Sequence, residues 1–152
     1  MLQELSITDF AIIQQVRLDF TNGLIVFTGE TGAGKSIVLD AIGALLGDRM
    51  GADVVRAGAQ RAIVEGVFAL PWLPALATPP AEKADPIPHD EDDEGGDNRP
   101  DPRQELAQLL REYGLESGDD TIIITREVGQ SGRTIARVNG RAVPIAVLGR
   151  IG

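Results

Sequence analysis

The feature that most constrains this chain of 152 residues is a glycine-rich octapeptide at positions 29–36, which reads Gly-Glu-Thr-Gly-Ala-Gly-Lys-Ser. Closely spaced glycines allow positive φ angles and let the backbone pass close to a bound anion. Successive N–H groups then point into the bend and, with the positive end of the following helix, bind phosphate oxygens. Lys35 supplies a compact positive charge for the β- and γ-phosphates, and the Ser36 hydroxyl is placed to bind Mg²⁺. The octapeptide therefore predicts a loop that holds a nucleoside triphosphate with Mg²⁺.

The residues predicted to contact the nucleotide are Gly29, Glu30, Thr31, Gly32, Ala33, Gly34, Lys35 and Ser36, and Ser36 is also the predicted Mg²⁺ ligand.

The residues on both sides of this loop have the patterns that such a site requires. Residues 24–28 form a short apolar run, which predicts a buried strand of a parallel sheet. Residues 36–46 predict a helix that ends at Gly47. Because this helix is apolar on nearly every face, we expect it to be buried rather than amphipathic. Strand, loop and helix in this order indicate a true phosphate-binding loop rather than a glycine-rich turn.

The net charge of −9 comes mainly from one segment. Residues 82–101 hold nine acidic and two basic side chains, a local charge of −7, and eight of the nine prolines lie between Pro71 and Pro102. Such a segment buries too little apolar surface to offset its ordering entropy. We therefore expect 71–102 to be a disordered, acidic surface loop. Its charge is local and does not exclude a nucleic-acid partner.

The rest of the chain shows clear strand and helix patterns. Strands are predicted at 2–8, 16–20, 62–70 and 121–128, and an amphipathic helix at 103–113. Asn139-Gly140 predicts a hairpin with a type I′ turn, and Pro144 predicts the start of a last helix. The absence of cysteine points to a reducing compartment, and no apolar stretch is long enough to span a bilayer. We expect a cytoplasmic protein that does not bind membranes.

The order of these segments resembles the amino-terminal half of RecN DNA-repair proteins, which are SMC-like, ABC-type ATPases. The matching stretches cover nearly the whole chain except the acidic segment: 1–13, 27–42, 47–49, 55–59, 126–128 and 132–141. The resemblance implies an α/β fold of the P-loop NTPase class, the N-terminal lobe of an ABC/SMC-type head. It implies a mixed sheet with antiparallel edge strands. The lobe would comprise 1–70 with the loop and its helix, the insert 71–102, and 103–152 with a helix, a strand and a hairpin.

The resemblance also implies a function in DNA double-strand-break and recombinational repair. Heads of this type bind ATP with Mg²⁺ and hydrolyse it after completion by a C-terminal half and dimerisation with a second head. The glutamine loop, the signature loop, the catalytic glutamate and the switch histidine of such heads lie after the hairpin. His89, the one histidine here, falls in the acidic segment. We therefore expect no catalytic residue in this chain and nucleotide binding without turnover, with DNA as a partner of the full-length protein at the nucleoid.

A few further residues are candidates for the site or for DNA. Arg56 falls where SMC-like heads carry a basic residue near the nucleotide or DNA. Asp40, one helical turn after Ser36, has a structural role or reaches the metal through water. The arginines of the hairpin contact phosphate backbone or form a solvated face: Arg133, Arg137 and Arg141.

Two other functions remain open on the sequence alone. A small-molecule kinase also has a phosphate-binding loop, but it needs an arginine-bearing lid, for which the acidic 71–102 segment is poorly suited. A structural fragment that binds no nucleotide is the second alternative. A glutamine loop and heptads after residue 152 would favour the ATPase head.

Overall fold

The computed structural model describes residues 1–23, 25–27, 33–72, 101–116 and 119–151. Its strands are β1 (Leu2–Phe10), β2 (Ile13–Asp19), β3 (Arg61–Ala69), β4 (Thr121–Gly129), β5 (Thr134–Val138) and β6 (Arg141–Val143). Its α-helices are α1 (Ala33–Leu45), α2 (Pro102–Glu112) and α3 (Ile145–Ile151), and a single 3₁₀ turn covers Ala52–Val54. None of the helices among these residues is long and apolar enough to cross a membrane.

The six strands form one sheet in the order β2-β1-β3-β4-β5-β6. All pairs of described strands are antiparallel, and β3 lies between β1 and β4 although long segments separate the three in sequence. Ile7, Val64 and Arg126 occupy one row of this register. The predicted strands at 2–8, 62–70 and 121–128 are confirmed, and the strand predicted at 16–20 begins earlier and ends at Asp19.

One face of the sheet carries the hydrophobic core. Alternate residues of β1, β3 and β4, such as Leu5, Val64 and Ile124, are fully buried there. They form one cluster with apolar residues of the three helices, including Ala41 of α1 and Leu110 of α2. The alternation of apolar and polar residues along these strands arises because one face of the sheet packs against helices and the other does not.

The opposite face carries charged side chains that pair across strands. Glu127 accepts a hydrogen bond from Arg61 at 3.2 Å and forms an ion pair with Arg137 at 3.6 Å. The hydroxyl of Thr125 donates to Glu65 at 3.0 Å. An antiparallel sheet with one polar face needs no helix there.

The turn between β5 and β6 has the geometry that its sequence predicts. Asn139 and Gly140 both have positive φ, 49° and 77°, as a type I′ turn requires. The Asn139 side chain also accepts from Ile123 N–H and donates to the Leu115 carbonyl, which ties the hairpin to β4 and to the segment after α2.

Two expectations about the segments around the phosphate-binding loop are wrong. Residues 25–27 form no strand, and Val26 is 67% exposed. Helix α1 is buried on one face only, and Leu39 on the other face is 63% exposed. Both corrections have one cause: the described strands form an antiparallel sheet under one side of α1, and no described element covers its other side.

The boundary predicted for the acidic insert is also wrong at its C-terminal end. The Asp101 carboxylate accepts from Arg103 N–H at 2.9 Å and caps α2, and Pro102 is the first residue of that helix. Aspartate at the N-cap and proline at the next position are the preferred residues there. Pro71 and Trp72 form a turn after β3, and the rest of the predicted disordered loop, 73–100, lies outside the described residues.

Candidate nucleotide-binding site

The first turn of α1 carries the described part of the candidate site. The helix begins at Ala33, so Gly34, Lys35 and Ser36 lie in its first turn, and all three are exposed. Their backbone N–H groups belong to a helix N-terminus, which favours anions. The other candidate residues, Gly29, Glu30, Thr31 and Gly32, lie outside the described residues.

Packing on the sheet holds this helix in place. Ile37, Ala41 and Leu45 are buried along one side of α1, which packs against β1, β3 and β4. Gly66 of β3 makes this approach possible, since a Cβ there would lie 2.6 Å from Leu45 Cδ1. Gly47 ends the helix with a φ of 103°, which confirms the predicted C-terminus.

The donors of the first turn fit a triphosphate with its metal. Lys35 offers a positive charge and Ser36 a hydroxyl oxygen, the group that binds Mg²⁺ beside a phosphate-binding lysine. Asp40, one turn later, is exposed. Within the described ranges no three Asp, Glu or His side chains group together as a metal site. Ser36, which the octapeptide predicts as the Mg²⁺ ligand, is among the described residues.

Arg56 lies beside the turn between β1 and β2. Its N–H donates to the Asp9 carbonyl at 2.9 Å, and Ala11 N–H donates to the Val54 carbonyl at 2.7 Å. Asp9 and Ala11 both have a φ of 51°, in the left-handed region that non-glycine residues rarely adopt. The hydrogen bonds to 54–56 hold this strained turn. Arg56 is half-buried there, on a segment separate from the first turn of α1.

The three arginines of the hairpin do not form one basic surface. Arg137 lies on the sheet face without helices, where it pairs with Glu127. Arg141 is in register with Val138, on the opposite face, and its guanidinium lies next to Gly114. Arg133 precedes β5 and is exposed. A solvated, ion-paired face therefore describes Arg137 better than a phosphate contact does.

Sequence reasoning overlooked Arg126, which is 1% exposed. Among the described residues it is the one charged or polar side chain that is buried. Its Nε and Nη1 atoms have no hydrogen-bond partner there, and burial lowers the pKa of its guanidinium. The alternation along β4 could have located it, because Ile122, Ile124 and Val128 share its face and are buried.

Comparisons with known proteins give similarities along the sequence. A family model described as an AAA domain matches residues 4–69. The chain is 41% identical over 153 residues to the DNA repair protein RecN of Halalkalibacterium halodurans, and 38% identical over 152 residues to that of Bacillus subtilis. Both matches include the whole of this chain, which spans 22% and 21% of those proteins.

A solved structure supports the same fold. It comes from work on "ATP-driven dimerization and DNA stimulated activation of SMC ATPases" and matches with a TM-score of 0.62 at 20% identity. The match covers 99% of this chain and 76% of that one. At this identity the match shows the fold alone, an α/β fold of the P-loop NTPase class. Along its whole length the chain is similar to RecN DNA repair proteins, of which it spans about a fifth.

Proposed function

We propose that this chain is the N-terminal lobe of a RecN-type ATPase head that binds ATP with Mg²⁺ through residues 29–36. Lys35 would hold the β- and γ-phosphates, and Ser36 would bind Mg²⁺. One observation carries the proposal. Helix α1 begins at Ala33 and packs against the sheet, and Lys35 and Ser36 are exposed in its first turn. Arg56 is a secondary nucleotide contact in this proposal.

We further propose that the lobe has three parts: 1–70, an insert, and a C-terminal part that begins at Asp101 rather than at 103. The Asp101 cap supports this revised boundary. Large apolar side chains that stay exposed support completion of the head by further chain, because exposed apolar surface often marks a contact with other protein. Ile25, Val26 and Phe27 precede the phosphate-binding loop, and Leu39 and Leu46 lie on α1 and just after it.

In the complete protein we propose ATP hydrolysis, which requires the C-terminal half of the head and a second head as a homodimer. The RecN relatives are DNA repair proteins, and ATP-driven dimerisation with DNA-stimulated activation is stated of the SMC ATPases with the same fold. We therefore infer DNA as the partner and a cytoplasmic, nucleoid-associated location. The described residues of the lobe include phosphate-binding groups but no group placed to activate water, so we infer that the lobe alone binds nucleotide without turnover.

Isothermal titration calorimetry with ATP and Mg²⁺ tests the binding site. Charge-assisted hydrogen bonds to phosphate contribute about 1.5–3 kcal/mol each, so Lys35→Ala should weaken binding about tenfold to a hundredfold. Lys83→Ala is the matched control, since it removes the one other lysine, and it should leave the affinity unchanged. Equal affinities of the wild type and Lys35→Ala would refute the proposed site.

The alternatives raised by the sequence have no comparable support. The RecN relatives and the SMC-type fold favour the ATPase head over a small-molecule kinase. The calorimetric experiment also separates the head from a structural fragment that binds no nucleotide.

A further inference from the structure

Arg126 is an unusual residue to find inside this lobe. It lies on β4 between Val64 of β3 and Ala136 of β5, on the sheet face that packs against helices. Its Nε and Nη1 lack hydrogen-bond partners, and no carboxylate in the described part of the chain forms an ion pair with it. Thr134, diagonal to it on the same face, has a buried hydroxyl that also lacks a partner.

Such a side chain does not stabilise the lobe by itself. A buried charge costs free energy unless it is paired, and replacement by an apolar residue of similar size is often neutral or stabilising. The neighbours of Arg126 along the strand, Ile124 and Val128, show that an apolar residue suits this face. The positive charge therefore needs a reason other than packing.

We propose that Arg126 supplies a buried positive charge to the nucleotide site and so strengthens the binding of a polyphosphate at the first turn of α1. It would act through its electric field, without touching the nucleotide. This inference rests on the proposed nucleotide site. Two observations support it: the charge lacks a counter-ion among the described residues, and α1 packs against the strand that carries it.

The distances involved suit an interaction of this kind. Helix α1 has 13 residues, a length of about 20 Å, so the sheet beneath it lies within roughly that distance of Lys35 and Ser36. An unpaired charge inside the protein is screened far less than an exposed one. At an effective dielectric constant of about 20, one positive charge changes the affinity for a multiply charged anion about threefold to thirtyfold at such distances. An arginine such as Arg61 has a weaker long-range effect, because its side chain is 58% exposed and solvent and salt screen its charge.

The test compares three variants of the whole chain by titration calorimetry with ATP and Mg²⁺ and by urea unfolding. Arg126→Met removes the charge and retains most of the volume, and Arg126→Lys retains the charge when the titration is run at about pH 6, since burial lowers the pKa of a lysine. Thr134→Val is the matched control, because it removes a buried unpaired group of the same face without changing the charge.

We expect Arg126→Met to weaken ATP binding about threefold to thirtyfold while its unfolding midpoint stays equal or rises. Arg126→Lys and Thr134→Val should bind ATP like the wild type. The loss in Arg126→Met should be smaller for ADP than for ATP, since ADP carries less negative charge. A role limited to packing would instead lower the unfolding midpoint and leave the ratio of ATP to ADP affinity unchanged.

The outcomes against the inference are distinct from those against the nucleotide site. If the wild type binds ATP and Arg126→Met binds it equally well, the inference is overturned and the site stands. If the wild type binds no ATP, both are overturned. If Arg126→Met does not unfold cooperatively, Arg126→Lys is compared with Arg126→Gln, since these two variants differ in charge. Equal ATP affinities of the two variants overturn the inference.

Discussion

Gly47 shows how much one residue can decide in this lobe. It ends α1 with a φ of 103°, and a Cβ at this position would lie 2.7 Å from the backbone nitrogen of Gly149 in α3. The first property follows from sequence, because an apolar helix pattern followed by glycine predicts a C-terminal cap. The second does not, since no local pattern connects position 47 with position 149. The same limit applies to Arg126, whose burial is evident from β4 but whose lack of a partner is not.

Gly47→Ala should destabilise the lobe more than Gly23→Ala. Both glycines have a φ above 100°, so each substitution forces an unfavourable backbone, at a cost of about 1–3 kcal/mol. Only at Gly47 does the new methyl group also meet backbone, which adds about 1–3 kcal/mol. At Gly23 the space is open. Urea unfolding of both variants measures the difference, and equal losses of stability would contradict the tight contact with α3.

Some helices and strands can be predicted from local sequence patterns, whereas others depend on the strands and helices packed beside them. Strands β1, β3 and β4 follow from alternation, and the β5–β6 hairpin follows from Asn139-Gly140. The strand expected at 24–28 is not formed by residues 25–27. A strand needs a neighbouring strand to pair with, and no strand of the described sheet pairs with these residues. Helix α1 was predicted correctly in position, but how many of its faces are buried depends on the layers around it.

The beginning of α2 gives a prediction at this scale. Asp101→Ala should lower the free energy of unfolding by about 0.5–2 kcal/mol, because the Arg103 N–H loses its acceptor. Asp101→Asn should lose much less, since asparagine caps helices about as well as aspartate. Chemical denaturation of the three proteins tests this order. A variant Asp101→Asn as unstable as Asp101→Ala would show that the charge, and not the cap, matters at this position.

At the scale of the whole molecule, the acidic insert connects the end of β3 with the beginning of α2. Trp72 lies in the turn after β3 and Asp101 caps α2, so both ends of the insert are attached to described structure. The sequence predicted the composition and the approximate extent of this segment. It missed the boundary because the Asp101 carboxylate counted as part of an acidic run, although it serves as a helix cap.

Deletion of residues 81–100 should leave the fold and the nucleotide affinity nearly unchanged, because the free energy of closing a loop varies slowly with its length. In the complete protein the deletion should strengthen DNA binding at low salt, since most of the local negative charge is removed, and the gain should fade as salt rises. Circular dichroism, calorimetry and DNA titrations at several salt concentrations measure these effects. Deletion of 81–101 is the control: it also removes the helix cap and should unfold more readily. A large loss of stability on deletion of 81–100 would show that the insert belongs to the core.

The position of β3 between β1 and β4 has a consequence for the speed of folding. The β1–β2 and β5–β6 hairpins join residues close in sequence, so they form within microseconds. Strand β3 pairs with partners about 60 residues away on either side, as in the row of Ile7, Val64 and Arg126, which gives the lobe a high contact order. We therefore expect the central strand to join the sheet last and to limit the folding rate. Until it does, the two halves of the sheet expose unpaired edges on which newly made chains can associate with one another.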